Sequence, residues 1–213
     1  MSKRTLIHLS GPDAFDFLQG LITNDVAKTK DGLVYAALLT PQGKYIADFF
    51  VAAQDDALLI DVAQSHAAML AQRFTMYRLR ADLQIAQAPL IVSRGTGPAP
   101  EGALPDPRHT ALGWRLIADS DQSDGTDWDA LRVAHVIPET GIELTPDTYI
   151  LEAGFERLNG VDFRKGCYVG QEIAARMKHK TALKKGLVQV TITGAADVGT
   201  EITANGRPAG TLY

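Results

Sequence analysis

Apolar positions along the chain switch repeatedly between alternating and helical spacing, and the switches mark the predicted elements. Leu6 to Leu9 reads as a short strand, followed by Ser10-Gly11-Pro12-Asp13 as a turn and helix start with Pro12 near the first helical position. Ala14, Phe15, Phe17, Leu18, Leu21 and Ile22 share one face and predict a helix from Asp13 to about Ile22, ended by Thr23-Asn24-Asp25. Strands at Val34–Leu39 and Lys44–Ala53 flank the tight turn Pro41-Gln42-Gly43 as a hairpin, and Ala57–Val62 is the next strand. A helix capped by Gln64 or Ser65 then carries Ala67, Leu70, Ala71, Phe74 and Tyr77 on one face. Strands follow at Leu79–Ala86 and Leu90–Ser93, with a Gly- and Pro-rich loop from Arg94 to Pro107 and a further strand at Ala111–Ala118. Asp127 caps a helix bearing Trp128, Leu131 and His135, and Leu151 to about Leu158 reads as a short helix. Val169, Ile173 and Met177 recur every four residues and predict a helix from about Gly170 to Lys178, after which Leu187–Thr193 alternates as a strand. Hairpins replace regular β-α-β spacing, so the fold class is α+β with mainly antiparallel sheets.

Composition adds limits. The chain has 213 residues, 46% hydrophobic and 22% charged, enough for one large domain or two small ones with substantial cores. A single cysteine excludes an internal disulfide or a multi-cysteine metal site within one chain and fits a reducing, cytoplasmic compartment. The opening Met1-Ser2-Lys3-Arg4, with a brief apolar run broken by His8, is not expected to be a signal peptide, and no membrane partner is expected. A net charge of −4 argues against a general nucleic-acid binder, and a monomer is expected. From Arg164 to Lys185, however, seven basic residues accompany one acid, so this stretch carries +6 and the remainder −10. It could attract a polyanionic ligand, or it could be a solvated connector. His135 has no second ligand at metal spacing, and no metal site is predicted.

Two places hold candidate chemistry. Tyr45 to Ala53 is apolar on both faces except for Asp48, and an unpaired buried carboxylate is costly. Asp48 must therefore have a specific partner, such as Arg78, Arg80 or nearby backbone, or face a ligand cavity. The second is Lys165-Gly166-Cys167-Tyr168-Val169-Gly170-Gln171-Glu172, which holds the only cysteine just ahead of a predicted helix N-terminus. Backbone N–H groups there favour a thiolate, with Lys165 adding to the bias; the alternative is an inert buried thiol. Glu172 could equally pair with Arg176 on the helix surface.

That eight-residue stretch resembles the signature of the YgfZ family of folate-binding proteins, relatives of the glycine-cleavage T-protein, an aminomethyltransferase. The resemblance runs from about Leu6 to Tyr213. It includes Gly11-Pro12-Asp13-Ala14, Phe17-Leu18-Gln19-Gly20, Thr23-Asn24-Asp25-Val26, Tyr77 to Asp82, Asp106-Pro107-Arg108, Leu112-Gly113-Trp114-Arg115, Arg132 and Pro138-Glu139. It implies a cloverleaf: a folate-binding α+β region with ferredoxin-like elements over residues 1–185, and from 186–213 the beginning of a C-terminal β-barrel. The ending Gly210-Thr211-Leu212-Tyr213 reads as the start of a strand, so that barrel is expected to be incomplete.

The resemblance further implies that tetrahydrofolate, or a one-carbon derivative, is the cofactor. Asp48 falls on the T-protein's catalytic aspartate and Glu152 on its pterin-binding glutamate, although Ala47 and Ile150 depart from that pattern. The implied site is Cys167 and Asp48 as working groups, with Asp48, Glu152, Lys165, Tyr168, Gln171 and Glu172 around the cofactor. Gln171 replaces an arginine of the T-protein, and Cys167 has no counterpart there. The resemblance therefore points to folate-dependent support of iron–sulfur cluster assembly or repair, with iron–sulfur enzymes, including those that thiolate tRNA, or assembly proteins as partners. Aminomethyl or other one-carbon transfer is the alternative. One thiol cannot hold a cluster alone, so any cluster must be shared with another protein.

Overall fold

The computed structural model describes residues 3–180 and 182–213; the expectation for Met1 and Ser2 lies outside them. Strands β1 (Arg4–Ser10), β2 (Val34–Leu39), β3 (Tyr45–Gln54), β4 (Ala57–Ala63) and β5 (Gln84–Ala88) form one antiparallel sheet in the order β2-β3-β4-β1-β5. Alternation along β3 sends Ala47, Phe49 and Val51 to one face and Asp48, Phe50 and Ala52 to the other, and all six are buried. Helices α1 (Ala14–Gln19) and α2 (Gln64–Arg78) cover the first face, α2 burying Leu70 and Phe74. Phe74 meets Phe17 and Phe49 edge-on at 5.9 and 6.3 Å, and its burial contributes roughly 1.5–3 kcal/mol.

A second unit packs on the other face. It comprises β6 (Ile91–Gly95), β7 (Leu104–Pro105) and β8 (Trp114–Ala118) in the order β6-β8-β7, helix α3 (Trp128–Ala134), and turns through 149–159. Helix α4 (Gln171–Lys180) follows, and β9 (Glu201–Ala204) with β10 (Arg207–Thr211) forms a separate hairpin.

Several expectations shift. Helix α1 stops at Gln19, and Ile22 leaves it to bridge Leu38 at the edge of the sheet. Helix α2 has no side-chain cap, because Ser65 Oγ bonds His66 Nδ1 instead. Leu79, expected in a strand, is 88% exposed at φ 45°, and that strand begins only at Gln84. The loop from Arg94 to Pro107 contributes β7. The segment 151–158 is a run of turns rather than a helix, with Gly154 at φ 79°. Leu187–Thr193 forms no strand: its alternation is real, but β9 and β10 pair only with each other, leaving Val188 76% and Ile192 51% exposed. Asp127 caps α3 as expected, accepting from Ala130 N–H at 3.0 Å.

Candidate functional site

The segment after α1, which reads in the sequence as a helix end, is a docking plate. Thr23 Oγ donates to Gly160 O at 2.7 Å and accepts from Ala37 N–H of β2. Asn24 Nδ2 donates to Tyr35 O and Asn159 O, at 2.8 and 2.7 Å. Asp162 N–H donates to Thr23 O, and Asp162 pairs with Lys28 at 2.7 Å. These bonds stitch residues 159–162 to the edge of the sheet, and Lys165 completes the seam. Its Nζ donates to three carbonyls, those of Gln19 (2.7 Å), Ile22 (2.6 Å) and Asn24 (3.0 Å), where α1 ends and its carbonyls lack helical partners. Burial draws the ammonium down to about 8, with Asp25 and Asp162 opposing.

Two residues on, Cys167 is exposed, which removes the buried-thiol alternative. Tyr168 turns inward again into the cluster that holds Tyr35, Tyr45, Phe50 and Ile150. Its hydroxyl is the one buried side-chain polar atom among the described residues without a hydrogen-bond partner, and burial pushes the phenol up to about 12. Gly170, at φ 84°, opens α4 against the β2–β3 turn. A Cβ there would lie 2.6 Å from Thr40 O, and one on Gly43 would lie 2.7 Å from Ile173 Cβ. Cys167 thus lies between a clamped lysine and a plugged tyrosine, four residues ahead of Gln171, the first residue of α4. Gln171 is half-buried, while Glu172 and Arg176 are exposed on the helix. Arg164, Arg176, Lys178, His179 and Lys180 are exposed too, and Lys178 pairs with Glu156.

Asp48 has hydroxyl partners, and neither Arg78 nor Arg80 is among them. Oδ1 accepts from Tyr45 OH (2.7 Å) and Thr140 Oγ (2.6 Å), and Oδ2 from Tyr35 OH (3.0 Å). Burial and the Asp48 charge raise the pKa of both tyrosines, so both remain protonated donors. Tyr35, Tyr45 and Tyr168 belong to one apolar cluster, which joins the carboxylate to the Cys167 loop. Glu152 is half-buried beside Ala153 of that cluster. Of the expected site residues, Asp48 and Tyr168 converge on this cluster, Glu152 borders it, and Lys165 faces the end of α1 instead.

Sequence reasoning missed a buried ionic network on the same sheet face. Asp61 accepts from Arg4 Nε (2.6 Å) and Arg115 Nη2 (2.5 Å); Asp106 takes Arg108 (2.8 Å) and Arg115 (3.3 Å). The Arg115 and Arg108 guanidiniums lie 3.9 and 4.8 Å from the Phe50 ring centroid. The signal available was Arg115, a charge amid the apolar residues of a predicted strand, with Asp106-Pro107-Arg108 at the end of the loop before it. Among the described residues no cluster of three metal-ligating side chains occurs, and no helix is long and apolar enough to cross a membrane.

Fold and site together define an α+β protein with an exposed single thiol in a clamped loop beside a buried, hydroxyl-held carboxylate. Among known proteins, the chain is 30% identical to the mitochondrial iron–sulfur cluster assembly factor IBA57 homolog of Neurospora crassa, across 97% of this chain and 56% of that protein. It is 29% identical to mitochondrial IBA57 of Mus musculus, across 99% of this chain and 72% of that one. The chain thus spans little more than half the length of its fungal relatives. The glycine cleavage system aminomethyltransferase T of Bartonella henselae gives a TM-score of 0.39 at 18% identity, over 43% of this chain and 26% of that one. No protein-family model matches the chain. The cytoplasmic expectation is corrected here, because the fungal, mouse and human relatives are all named as mitochondrial. A lone cysteine speaks to redox conditions and not to which membrane surrounds them.

Proposed function

We propose that this chain is an accessory factor in iron–sulfur cluster assembly, a mitochondrial-type protein that binds tetrahydrofolate and presents Cys167 to a cluster carried by a partner. The observation that supports it best is the exposed Cys167 in a loop flanked by buried Lys165 and Tyr168, in a chain whose relatives are named for iron–sulfur cluster assembly. With one cysteine in the chain, the cluster is cargo whose remaining ligands come from elsewhere.

The residues present fit a folate in part. Asp48 Oδ2 has one hydroxyl donor and unused acceptor capacity, Tyr168 has an unspent O–H, and Glu152 is half-exposed. Asp48 and Glu152 would accept N–H groups of the ligand, with Tyr168 donating. Lys165 does not fit, because its three protons are spent on carbonyls. Bound folate would supply a one-carbon carrier. Calorimetric titration with tetrahydrofolate is the test: micromolar binding is expected, weakened at least tenfold by Asp48→Ala and by Glu152→Ala and unchanged by Cys167→Ala. Absence of heat at high micromolar protein would remove folate from the reading.

One-carbon transfer is the second reading, favoured by the buried Asp48 carboxylate. Formation of methylenetetrahydrofolate from an aminomethyl donor, lost in Asp48→Asn, would establish it.

A further inference from the structure

The signature around Cys167 contains a lysine whose ammonium is bonded to backbone carbonyls of another segment. Lys165 is 7% exposed and aims its ammonium at the end of α1, where the carbonyls of Gln19, Ile22 and Asn24 surround one nitrogen at 2.6–3.0 Å. An ammonium has three donors arranged about a point, and here all three are used, which no neutral side chain and no planar guanidinium reproduces. Its target is itself immobilised: Thr23 and Asn24 are bonded to β2 and to residues 159 and 160. On the far side of Cys167, Tyr168 is 7% exposed in the apolar cluster, with Lys165 Nζ 5.2 Å from its ring centroid, and Gly170 abuts Thr40 and Leu39. Only Gly166 and Cys167 between the two anchors are exposed.

We infer that Lys165 is a positioning residue: it staples the Cys167 loop to the end of α1, so that an exposed thiol is also a fixed one. This rests on the proposed role of Cys167 and adds how the thiol is held. A group that must meet a partner's metal has to be accessible yet confined to within about half an ångström, and an exposed loop supplies only the first. The clamp supplies the second. It needs no contact between Lys165 and any ligand.

Cys167 is the only cysteine, so a nitroxide label on the full chain goes there alone. The expected electron-spin-resonance spectrum is broad for the native protein, partly narrowed for Lys165→Gln, which keeps two donors, and sharply narrowed for Lys165→Met. Hydrogen exchange at Gly166–Tyr168 should quicken about tenfold in Lys165→Met, the scale set by losing charge-assisted bonds, while β1–β4 amides keep their protection. Propylammonium added to Lys165→Ala should broaden the spectrum again, and tetramethylammonium, which has no N–H, should not. Should Lys165→Met fail to fold, Lys165→Gln against the native chain decides. Equal spectra and equal exchange across the series would overturn the clamp. They would leave the thiol reading intact, because a label reports loop order and not cluster chemistry.

Discussion

Lys165 and Tyr168 are buried for opposite reasons: one satisfies every donor it has, and the other satisfies none. Tyr168→Phe removes a hydroxyl that makes no hydrogen bond in the protein, so stability is expected to stay level or rise by up to about 1 kcal/mol, read by urea unfolding. The same variant should weaken tetrahydrofolate binding if the hydroxyl is the donor proposed above. A loss of more than about 1 kcal/mol would mean the hydroxyl already has a partner. Residue types were legible here where residue surroundings were not. The apolar strand around Asp48 called for a specific partner, yet those partners, Tyr35, Tyr45 and Thr140, lie 13, 3 and 92 positions away, and only register and loop path bring them together. The reading of Lys165 as cofactor-binding came from the signature alone; its three acceptors are 141 to 146 residues distant.

At the scale of elements, β2, β3 and β4 could be placed nearly to the residue, because strands buried on both faces leave long apolar runs bounded by Gly43 and by Asp55-Asp56. Helix α4 was equally visible from its four-residue apolar spacing. What spacing could not show is its seat: Gly170 and Gly43 let the helix start and the hairpin turn approach closely. Gly170→Ala should therefore cost about 1–3 kcal/mol, from a strained φ and a Cβ set against Thr40 O, and hydrogen exchange should show the loss centred on α4. The segment 187–193 failed in the opposite sense. Alternation specifies a strand only where another strand is available to pair, and none among the described residues is placed to do so.

Across the whole molecule, the two units meet through the Arg4–Asp61–Arg115–Asp106–Arg108 network. Burial alone would raise both carboxyls. At Asp61 the Arg115 and Arg4 charges outweigh burial, at Asp106 Arg108 and Arg115 do, and both are held below their ordinary 3.8. In the window below that value the unfolded chain binds more protons than the folded one. The network's contribution is therefore fully present above about pH 5 and is lost as pH falls through the folded values. Asp61→Asn should lower stability by about 3–5 kcal/mol at pH 7, by leaving the buried Arg4 without a carboxylate and Arg115 with Asp106 alone, and flatten the fall in melting temperature between pH 5 and 3. An unchanged acid slope would contradict this assignment.

The proposed role of Cys167 as the working group of an iron–sulfur accessory factor can be put to the test in mitochondria lacking the endogenous relative, by assaying a cluster-dependent enzyme after supplying this chain or its Cys167→Ser variant at matched abundance. The expected result is activity restored by the native sequence and left at the deletion level by Cys167→Ser. Equal restoration by both would contradict the claim.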